Sequence, residues 1–320
     1  MTMREFCFRE AVISDPRYGI YPGSRSIDEH IKRGIVVLDK PKGPTSHQVT
    51  GWLKDILDLD KAGHSGTLDP KVTGVLVVAL EKSTKVMPLL SGLDKEYVAV
   101  MVLHEEVDED RLEDVLDGFR GEITQIPPKK SAVKREERKR EVKGLSILEN
   151  HGKKVLLKIR CEAGTYIRKL VHDIGEELGC GAHMKELRRT AVGPFTEEGA
   201  LKLQTVTDDL VFYLEEENDD IMGDILPVET VAELSRCIVV KDTAVEALCS
   251  GADLGVGGVS AAEENINEGE MVSLLSGKGE LVAVAESMMD TDSICDSNKG
   301  KAASLANVIM ERGTYPKAWK

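Results

Sequence analysis

One carboxylate stands out in residues 63–74, which read GHSGTLDPKVTG. Asp69 lies there among glycines, directly before the apolar run VLVVAL at 75–80. Glycine lets a backbone approach a ligand closely, and Pro70 stiffens the turn that aims the acid. A buried strand would anchor this segment. We therefore expect an acid held rigidly on a loop, a position that often carries chemistry.

Three further side chains could complete a site around such an acid. Arg168 is a candidate counter-ion, and Tyr97 and Tyr166 could stack on a planar ligand. Both Tyr166 and Arg168 lie where the strand-like run at 154–161 gives way to an apolar stripe with helical spacing. Spacing alone does not bring these residues together, so a catalytic site, a binding site and a plain strand-to-helix junction remain open here.

Composition limits the class of protein. The chain has 320 residues, of which 41% are hydrophobic, and this is enough for two domains with real cores. Its apolar runs fall short of the roughly 18 to 20 residues that a membrane span needs. The N-terminus, MTMREFCFRE, carries charges where a signal peptide would be apolar. We expect a cytoplasmic protein with no membrane partner.

Cysteine and histidine spacing gives no sign of a metal. The six cysteines form no CxxC pair, and the seven histidines form no HExxH or HxH motif. The sequence therefore predicts reduced thiols with mostly structural roles, no disulfide framework and no metal site.

Negative charge is concentrated in two segments. The net charge is -14, and residues 208–233 and 262–292 contribute -10 and -7 of it, which leaves +3 for the rest. Residues 129–143 hold eight basic and three acidic side chains. An anionic partner such as RNA is thus compatible with the chain, and a solvated charged loop is the alternative for the basic segment.

The chain divides into four parts by texture. We expect an N-terminal arm at 1–33 and a mixed domain of strands and helices at 34–235, ending in an acidic helix and linker at 208–235. Short β-like runs separated by glycines predict a small barrel-like module at 236–312, followed by a tail at 313–320.

Several long motifs resemble those of the TruB family of RNA pseudouridine synthases. The blocks, in order, are GIVVLDKPKGPTSH at 34–47, GHSGTLDPKVTGVL at 63–76, KEY at 95–97, AGTYIRKLVHDIG at 163–175 and ELRRTAVGPF at 186–195. Three others, PPKKSAVKR at 127–135, GAHMKELRRT at 181–190 and TYPKAW at 314–319, are similar to the dyskerin branch. Within it, the chain is most similar to the archaeal catalytic subunit of H/ACA guide-RNA particles.

The resemblance implies a fold and a reaction. The fold is α+β, with a central mixed, mainly antiparallel sheet and flanking helices, plus a small C-terminal β-barrel-like PUA domain. The reaction breaks the N1–C1′ bond of a uridine in rRNA or tRNA and rejoins the uracil through C5, so it needs no cofactor. The implied partners are the substrate RNA, an H/ACA guide RNA and the small accessory proteins of the particle.

Three residues match the family's catalytic positions. By resemblance, Asp69 is the catalytic carboxylate, acting as nucleophile or as base. Arg168 matches the arginine that pairs with this carboxylate and orients it. Tyr97, in KEY, matches the tyrosine that stacks against the target base.

Five more residues match positions that contact the substrate. His64 matches a residue that takes the place of the flipped nucleotide, and Tyr166 would close the pocket from the other side. Lys40 would shape the pocket floor, while Leu187 and Arg188 would line its wall or touch phosphate.

Three other functions compete with a guided synthase. One is a stand-alone synthase acting on the TΨC arm of tRNA, and another is a non-catalytic RNA scaffold that keeps the fold. A small-molecule hydrolase is disfavoured because Ser65, in GHSGT, lacks the GxSxG elbow.

Overall fold

The computed structural model describes residues 4–127 and 134–317. Some predicted features therefore lie outside the described residues. Positions 128–133 belong to the PPKKSAVKR motif and the start of the basic segment, and positions 318–320 belong to the tail.

Seventeen strands are found in these ranges. They are β1 (Phe6–Phe8), β2 (Gly34–Lys40), β3 (Ala62–His64), β4 (Thr73–Leu80), β5 (Lys95–Leu103), β6 (Gly121–Gln125), β7 (Arg138–His151), β8 (Lys154–Cys161), β9 (Ala182–Val192), β10 (Phe195–Thr196), β11 (Leu226–Pro227), β12 (Arg236–Val240), β13 (Leu254–Gly255), β14 (Val259–Glu263), β15 (Met271–Leu275), β16 (Leu281–Ser287) and β17 (Lys301–Val308).

Nine α-helices accompany them in the described residues. They are α1 (Ile27–Lys32), α2 (Ser46–Ile56), α3 (Met87–Gly92), α4 (Glu109–Gly118), α5 (Ile167–Glu177), α6 (Leu203–Glu216), α7 (Ile221–Asp224), α8 (Asp242–Cys249) and α9 (Thr291–Asp296). None of these helices is both long and apolar enough to cross a membrane.

Local sequence signals start the two helices nearest the predicted site. Before α2, the Thr45 hydroxyl accepts from the backbone N–H of Gln48 at 3.1 Å, and the Gln48 side chain accepts from the Thr45 N–H at 2.9 Å, a capping box. Before α5, the backbone of Tyr166 is held by Gln125, whose side chain accepts from the Tyr166 N–H at 2.9 Å and donates to its carbonyl at 3.2 Å.

A ten-stranded sheet forms the first module. Its strands run in the order β11-β2-β4-β9-β5-β8-β7-β6, with β3 paired to β4 and β10 paired to β9. Every pairing in it is antiparallel except β4 with β9, which are parallel and matched only at Thr73 with Arg188 and Gly74 with Arg189. We call this two-residue pairing the junction. The strands β11, β2, β4 and β3 form the first half of the sheet, and β9, β5, β8, β7, β6 and β10 form the second half.

Gly74 is required at the junction. Its φ is +105°, and a Cβ there would lie 2.1 Å from the carbonyl oxygen of Arg189. Any other residue would push the two halves apart, because backbone atoms cannot move aside as a flexible side chain can.

Helices cover the two halves separately. Buried residues of α4 and α5 pack with β5, β7 and β8 of the second half, while α2 and α6 pack with β2 and β4 of the first half. The opposite face of the first half packs against the C-terminal module, so that Val37 and Val77 share one cluster with Leu281 and Ile309.

The C-terminal module is a seven-stranded sheet, in the order β1-β14-β12-β15-β16-β17-β13. Its edge strand β1 comes from the N-terminal arm and pairs antiparallel with β14, with Phe6 opposite Glu263 and Phe8 opposite Ala261.

A disulfide joins the same arm to this module. It links Cys7 to Cys295, which are 288 residues apart in the sequence, so the prediction that all thiols are reduced is wrong for this pair. Cysteine spacing could not reveal the bond because it depends on strand pairing between the two ends of the chain. Cys161, Cys180, Cys237 and Cys249 are free.

The predicted fold class is confirmed: the chain is α+β, with a mixed, mainly antiparallel sheet, flanking helices and a small C-terminal β module. The basic segment is not a loop throughout, because residues from 138 onward belong to β7. Strand β9, which carries the ELRRT motif, was not predicted as a strand.

Candidate active site

The loop between β3 and β4 carries Asp69 and is held on both sides of it. On the N-terminal side, the Ser46 hydroxyl accepts from the Leu68 N–H at 2.8 Å and lies 3.2 Å from the Leu68 carbonyl, to which it can donate. On the C-terminal side, the Lys40 amine donates to the Val72 carbonyl at 2.9 Å. The acid is therefore mounted rigidly, as its glycine and proline context predicts.

Lys40 is an internal cation at the end of β2. Its side chain is fully buried, at 0% exposure, and its amine also donates to Pro41 at 2.9 Å and to Pro70 at 3.5 Å. Burial lowers the pKa of Lys40, and the nearby Arg189 lowers it further. The amine of Lys40 therefore binds backbone carbonyls on both its own strand end and the loop that carries Asp69.

Arg168 reaches Asp69 from the first turn of α5. Its Nη2 lies 2.7 Å from Asp69 Oδ2. The Arg168 and Asp69 side chains are 64% and 56% exposed, respectively. Asp69 lies on a loop of the first half, whereas α5, which carries Arg168, packs against the second half. The carboxylate is thus oriented by a cation yet remains open to a molecule arriving from solvent.

Tyr97 lies on β5 and packs against the core of the second half. On the ladder between β5 and β9 it is paired with Arg189. Burial raises the pKa of Tyr97, and Arg189 offsets part of that rise. The phenol is therefore neutral near neutral pH. Tyr166, at the start of α5, lies two residues from Arg168.

His64 ends β3 and is half-buried beside the loop. Burial lowers the pKa of His64, with further lowering from Arg189 and His47, so the imidazole is neutral at neutral pH. Its Nδ1 is buried and has no hydrogen-bond partner within the described ranges.

Leu187 and Arg188 are neighbours on β9. Leu187 is half-buried and packs against the core of the second half. Arg188 donates to both carboxylate oxygens of Asp39, at 2.9 and 3.2 Å, and to Glu197 at 2.6 Å. Its donors are thus engaged by two acids, and a phosphate contact would have to compete with them.

Comparison with known proteins identifies the family. A model described as TruB family pseudouridylate synthase (N terminal domain) matches residues 54–167, and a tRNA pseudouridylate synthase B C-terminal domain model matches 168–233. A probable tRNA pseudouridine synthase B of Methanothermobacter thermautotrophicus is 49% identical, covering 99% of this chain and 98% of its own length. The chain belongs to the TruB family of pseudouridylate synthases. A relative of the same description from Methanopyrus kandleri is 48% identical over 99% of this chain and 94% of its own length.

Solved TruB-family structures match along nearly the whole chain. A chain of a Cbf5-Nop10-Gar1 complex superposes with a TM-score of 0.92 at 45% identity, covering 98% of this chain and 96% of that one. A chain of an H/ACA RNP bound to a substrate RNA containing 2′-deoxyuridine gives 0.91 at 43% identity, with coverage of 99% and 98%. A PUA domain model matches residues 237–309, and a DKCLD domain model matches 1–50. The resemblance to the TruB and dyskerin proteins is confirmed.

Sequence reasoning missed three residues that lie beside the candidate site and contact its segments. They are Ser46 and Gln125, which hold the backbone at Leu68 and Tyr166, and the buried Arg189. Predicting a strand at residues 182–192 would have indicated that Arg189 is buried, because side chains alternate along a strand and Arg189 then lies on the same face as Leu187.

Clusters of three or more His, Cys, Asp or Glu side chains that could hold a metal ion are absent from residues 4–127 and 134–317.

Proposed function

We propose that this TruB-family chain isomerises specific uridines in RNA to pseudouridine, as the guide-RNA-directed catalytic subunit of an archaeal H/ACA particle. The observation that carries the proposal is the exposed Asp69–Arg168 pair at 2.7 Å, on a loop braced by Ser46 and Lys40. The full-length match to chains of Cbf5-Nop10-Gar1 and H/ACA RNP structures supports guide RNA and small accessory proteins as partners.

The reaction requires one ionised carboxylate beside the ribose. Asp69 would act on the sugar, either as nucleophile at C1′ or as base, while the N1–C1′ bond breaks. The freed uracil rotates and a C5–C1′ bond forms. The hydrogen on C5 leaves as a proton and N1 gains one, so the exchange has no net redox change. Arg168 would hold the carboxylate in line throughout.

The remaining residues would hold the flipped nucleotide. Tyr97 would stack on the uracil, a contact worth roughly 1 to 3 kcal/mol, and Tyr166 would close the other side. Flipping the nucleotide costs a few kcal/mol, and neutral His64 would fill the gap left in the stack. Leu187 would line the pocket wall. Arg188 would bind a phosphate only if it gave up its ion pair with Asp39 or with Glu197.

The experiment is reconstitution with a guide RNA, accessory proteins and an RNA that carries one uridine tritiated at C5. We expect tritium release with the parent protein and none above background with Asp69→Asn, while RNA affinity is unchanged. Asp60→Asn alters an exposed acid nine residues earlier and serves as the matched control. Retained release in Asp69→Asn would remove Asp69 from the mechanism, and no release from the parent protein would favour the scaffold function.

A stand-alone tRNA synthase is the second candidate. It is favoured by the description of the relatives as probable tRNA pseudouridine synthase B. Tritium release from a tRNA without guide RNA would support it, whereas release that requires a complementary guide supports the guided enzyme.

We further propose the organisation in which this enzyme works. A PUA domain at 236–312 would hold the end of the guide, with the arm at 1–33, the catalytic domain at 34–235 and the tail at 313–320 around it. The matched PUA model at 237–309 supports this division. We also propose that the activity lies in the cytoplasm.

A further inference from the structure

The active site is divided between the two halves of the ten-stranded sheet. Asp69 and His64 belong to β3 and the loop that follows it, in the first half, whereas Tyr97 lies on β5 in the second half. Within the sheet, the two halves are matched at the junction by two residue pairs. A small rotation there would change the distance between the acid and the stacking tyrosine.

Arg189 occupies this junction with both its backbone and its side chain. Its Cα is paired with Gly74 on one side and with Tyr97 on the other. Its side chain reaches back to the first half, where Nε donates to the Val75 carbonyl at 2.7 Å and Nη2 donates to the Gly66 carbonyl at 3.1 Å. Arg189 therefore links both ends of the Asp69-bearing segment, through its side chain, to the stacking tyrosine, through the pairing of β9 with β5.

A bulge in β9 contributes to this arrangement. Glu96 is opposite Ala191 and Tyr97 is opposite Arg189, so Thr190 is an extra residue in the register, although its hydroxyl donates to the Glu96 carboxylate at 2.9 Å. Bulges of this kind re-aim a side chain locally and are common beside active sites.

The burial of Arg189 is hard to explain by stability alone. The residue is 1% exposed, and none of the ion pairs among the described residues includes it. Burial lowers the pKa of Arg189, because a charged guanidinium is costly to remove from water. An apolar side chain of similar size would avoid the cost of burying a charge.

We propose that Arg189 is a positioning residue for the isomerisation: it fixes the catalytic loop relative to Tyr97 across the junction. This inference rests on the proposed function. Arg189 touches no substrate and acts through Tyr97 and through the loop that carries Asp69. An amine cannot replace it, because lysine lacks the separated donors that reach Val75 and Gly66 together.

The test compares Arg189→Lys, Arg189→Met, Tyr97→Phe and the double variant Arg189→Lys with Tyr97→Phe. Single-turnover tritium release, RNA affinity and the thermal midpoint are measured for each, with Lys185→Met, an exposed change on the same strand, as control. In Arg189→Lys we expect a rate about 10²-fold lower, because a misplacement of about 1 Å costs that much. RNA affinity should stay within about threefold, because the loss concerns the chemical step.

The double variant separates positioning from general support of the fold. If Arg189 acts through Tyr97, adding Tyr97→Phe to Arg189→Lys lowers the rate less than Tyr97→Phe lowers it in the parent protein, so the two losses are not additive. Additive losses, a wild-type rate in Arg189→Lys, or a rate that falls only in step with folded fraction would overturn the inference. If Arg189→Met fails to fold, the rates of Arg189→Lys and of the double variant still test the inference.

The two proposals fail differently. A parent protein that releases no tritium contradicts the proposed function and the inference with it. A parent protein that is active while Arg189→Lys matches it contradicts the inference alone.

Discussion

At the scale of single residues, the Asp69–Arg168 pair has little to do with stability. Both side chains are more than half exposed, and exposed ion pairs contribute about 0 to 1 kcal/mol. The pair nevertheless joins the β3–β4 loop to α5 and is open to solvent. The proposed catalytic role of the pair therefore predicts a loss of activity with little loss of stability, and the two can be measured separately.

We predict that Arg168→Met leaves the free energy of unfolding within about 1 kcal/mol of the parent value. We also predict that it slows single-turnover tritium release by at least about 10²-fold, because the carboxylate loses its orienting partner. Arg160→Met, which removes another exposed arginine facing an acid, Asp94, is the control for both measurements. A large loss of stability with proportionate loss of rate would contradict this separation.

How well single residues can be predicted depends on what their neighbours in sequence reveal. Asp69 stands alone among glycines and Pro70, so its loop setting was readable. Arg188 and Arg189 are adjacent and chemically identical, and nothing local shows that the second is the buried one. That difference follows from the Thr190 bulge and the junction, which involve strands about 90 to 115 residues away in sequence.

At the scale of elements, Lys40 shows how a strand end can support a loop. Its amine is the donor for carbonyl groups on both sides of the turn that follows Asp69, and the side chain has no access to solvent. Removing a donor from buried carbonyls costs about 1 to 3 kcal/mol. Removing the amine also removes the free-energy cost of burying a charge, which offsets part of this loss. We therefore expect a loss at the lower end of that range.

We predict that Lys40→Met lowers the free energy of unfolding by about 1 kcal/mol and lowers activity as well. Denaturant unfolding and tritium release check the two parts. Lys42→Met changes an exposed lysine two residues later and should alter neither. An active, equally stable Lys40→Met protein would show that the loop keeps its shape without the amine.

The acidic region holds a carboxyl pair between α6 and α7. Burial first, and then a hydrogen bond with Asp209, raises the pKa of Asp224 from 3.8 to about 7, and Asp220 adds to the rise. Between these two values the folded protein keeps a proton that the unfolded chain has lost. Stability therefore falls as pH rises through this window, and is level above it.

We predict that Asp224→Asn is more stable than the parent at about pH 8, by about 1 kcal/mol after allowance for the partial exposure of the group. The difference should shrink as pH falls toward 3.8, because the carboxyl then becomes protonated in the unfolded chain as well. Urea unfolding across this range measures it, with Asp219→Asn, an exposed neighbour, as control. An advantage that does not depend on pH would exclude the carboxyl pair as its cause.

Helices and strands were predictable where apolar residues recur with a clear helical or strand spacing. The stripe from Ile167 to Leu178 predicted α5, and the run at 154–161 predicted β8 with its observed bounds. Strand β7 was not predicted because its first residues, in the basic segment, are charged and lack the alternating apolar side chains that indicate a strand. They form a strand because β6 and β8 pair with them, a tertiary cause that local propensity does not contain.

At the scale of the whole molecule, the two modules are not independent. Val284 and Ile309 of the C-terminal sheet share a hydrophobic cluster with Val75 and Leu90 of the first module. The N-terminal arm adds hydrogen bonds, such as Arg9 with the backbone of Cys295, and the disulfide from Cys7. We expect the arm and the C-terminal module to unfold together.

We predict that reduction lowers the thermal midpoint and that Cys7→Ser reproduces the effect and removes the response to reductant. A crosslink that closes so long a loop is worth up to roughly 5 kcal/mol in the loop-entropy model, and usually less. Cys180→Ser, which changes a free cysteine, is the control. A parent protein whose midpoint ignores reductant would show that the bond contributes no stability.

The order of the sequence motifs was enough to predict the family and the fold class, because each block is long and specific. The docking of the arm was not predictable. Residues 1–33 show no clear periodicity, and the strand Phe6–Phe8 has only three residues. Its structure comes from an edge that the other end of the chain provides.

That shared edge has a consequence for how the protein is made. The partner of β1 is β14, which begins at Val259, so the first strand to leave the ribosome waits for some 250 residues of further synthesis before it can pair. At about 5 to 20 residues per second this is a delay of roughly 10 to 50 seconds. During that interval Phe6 and Phe8 are exposed on a growing chain, and nascent protein of this kind would be a natural client for a chaperone that binds short apolar segments.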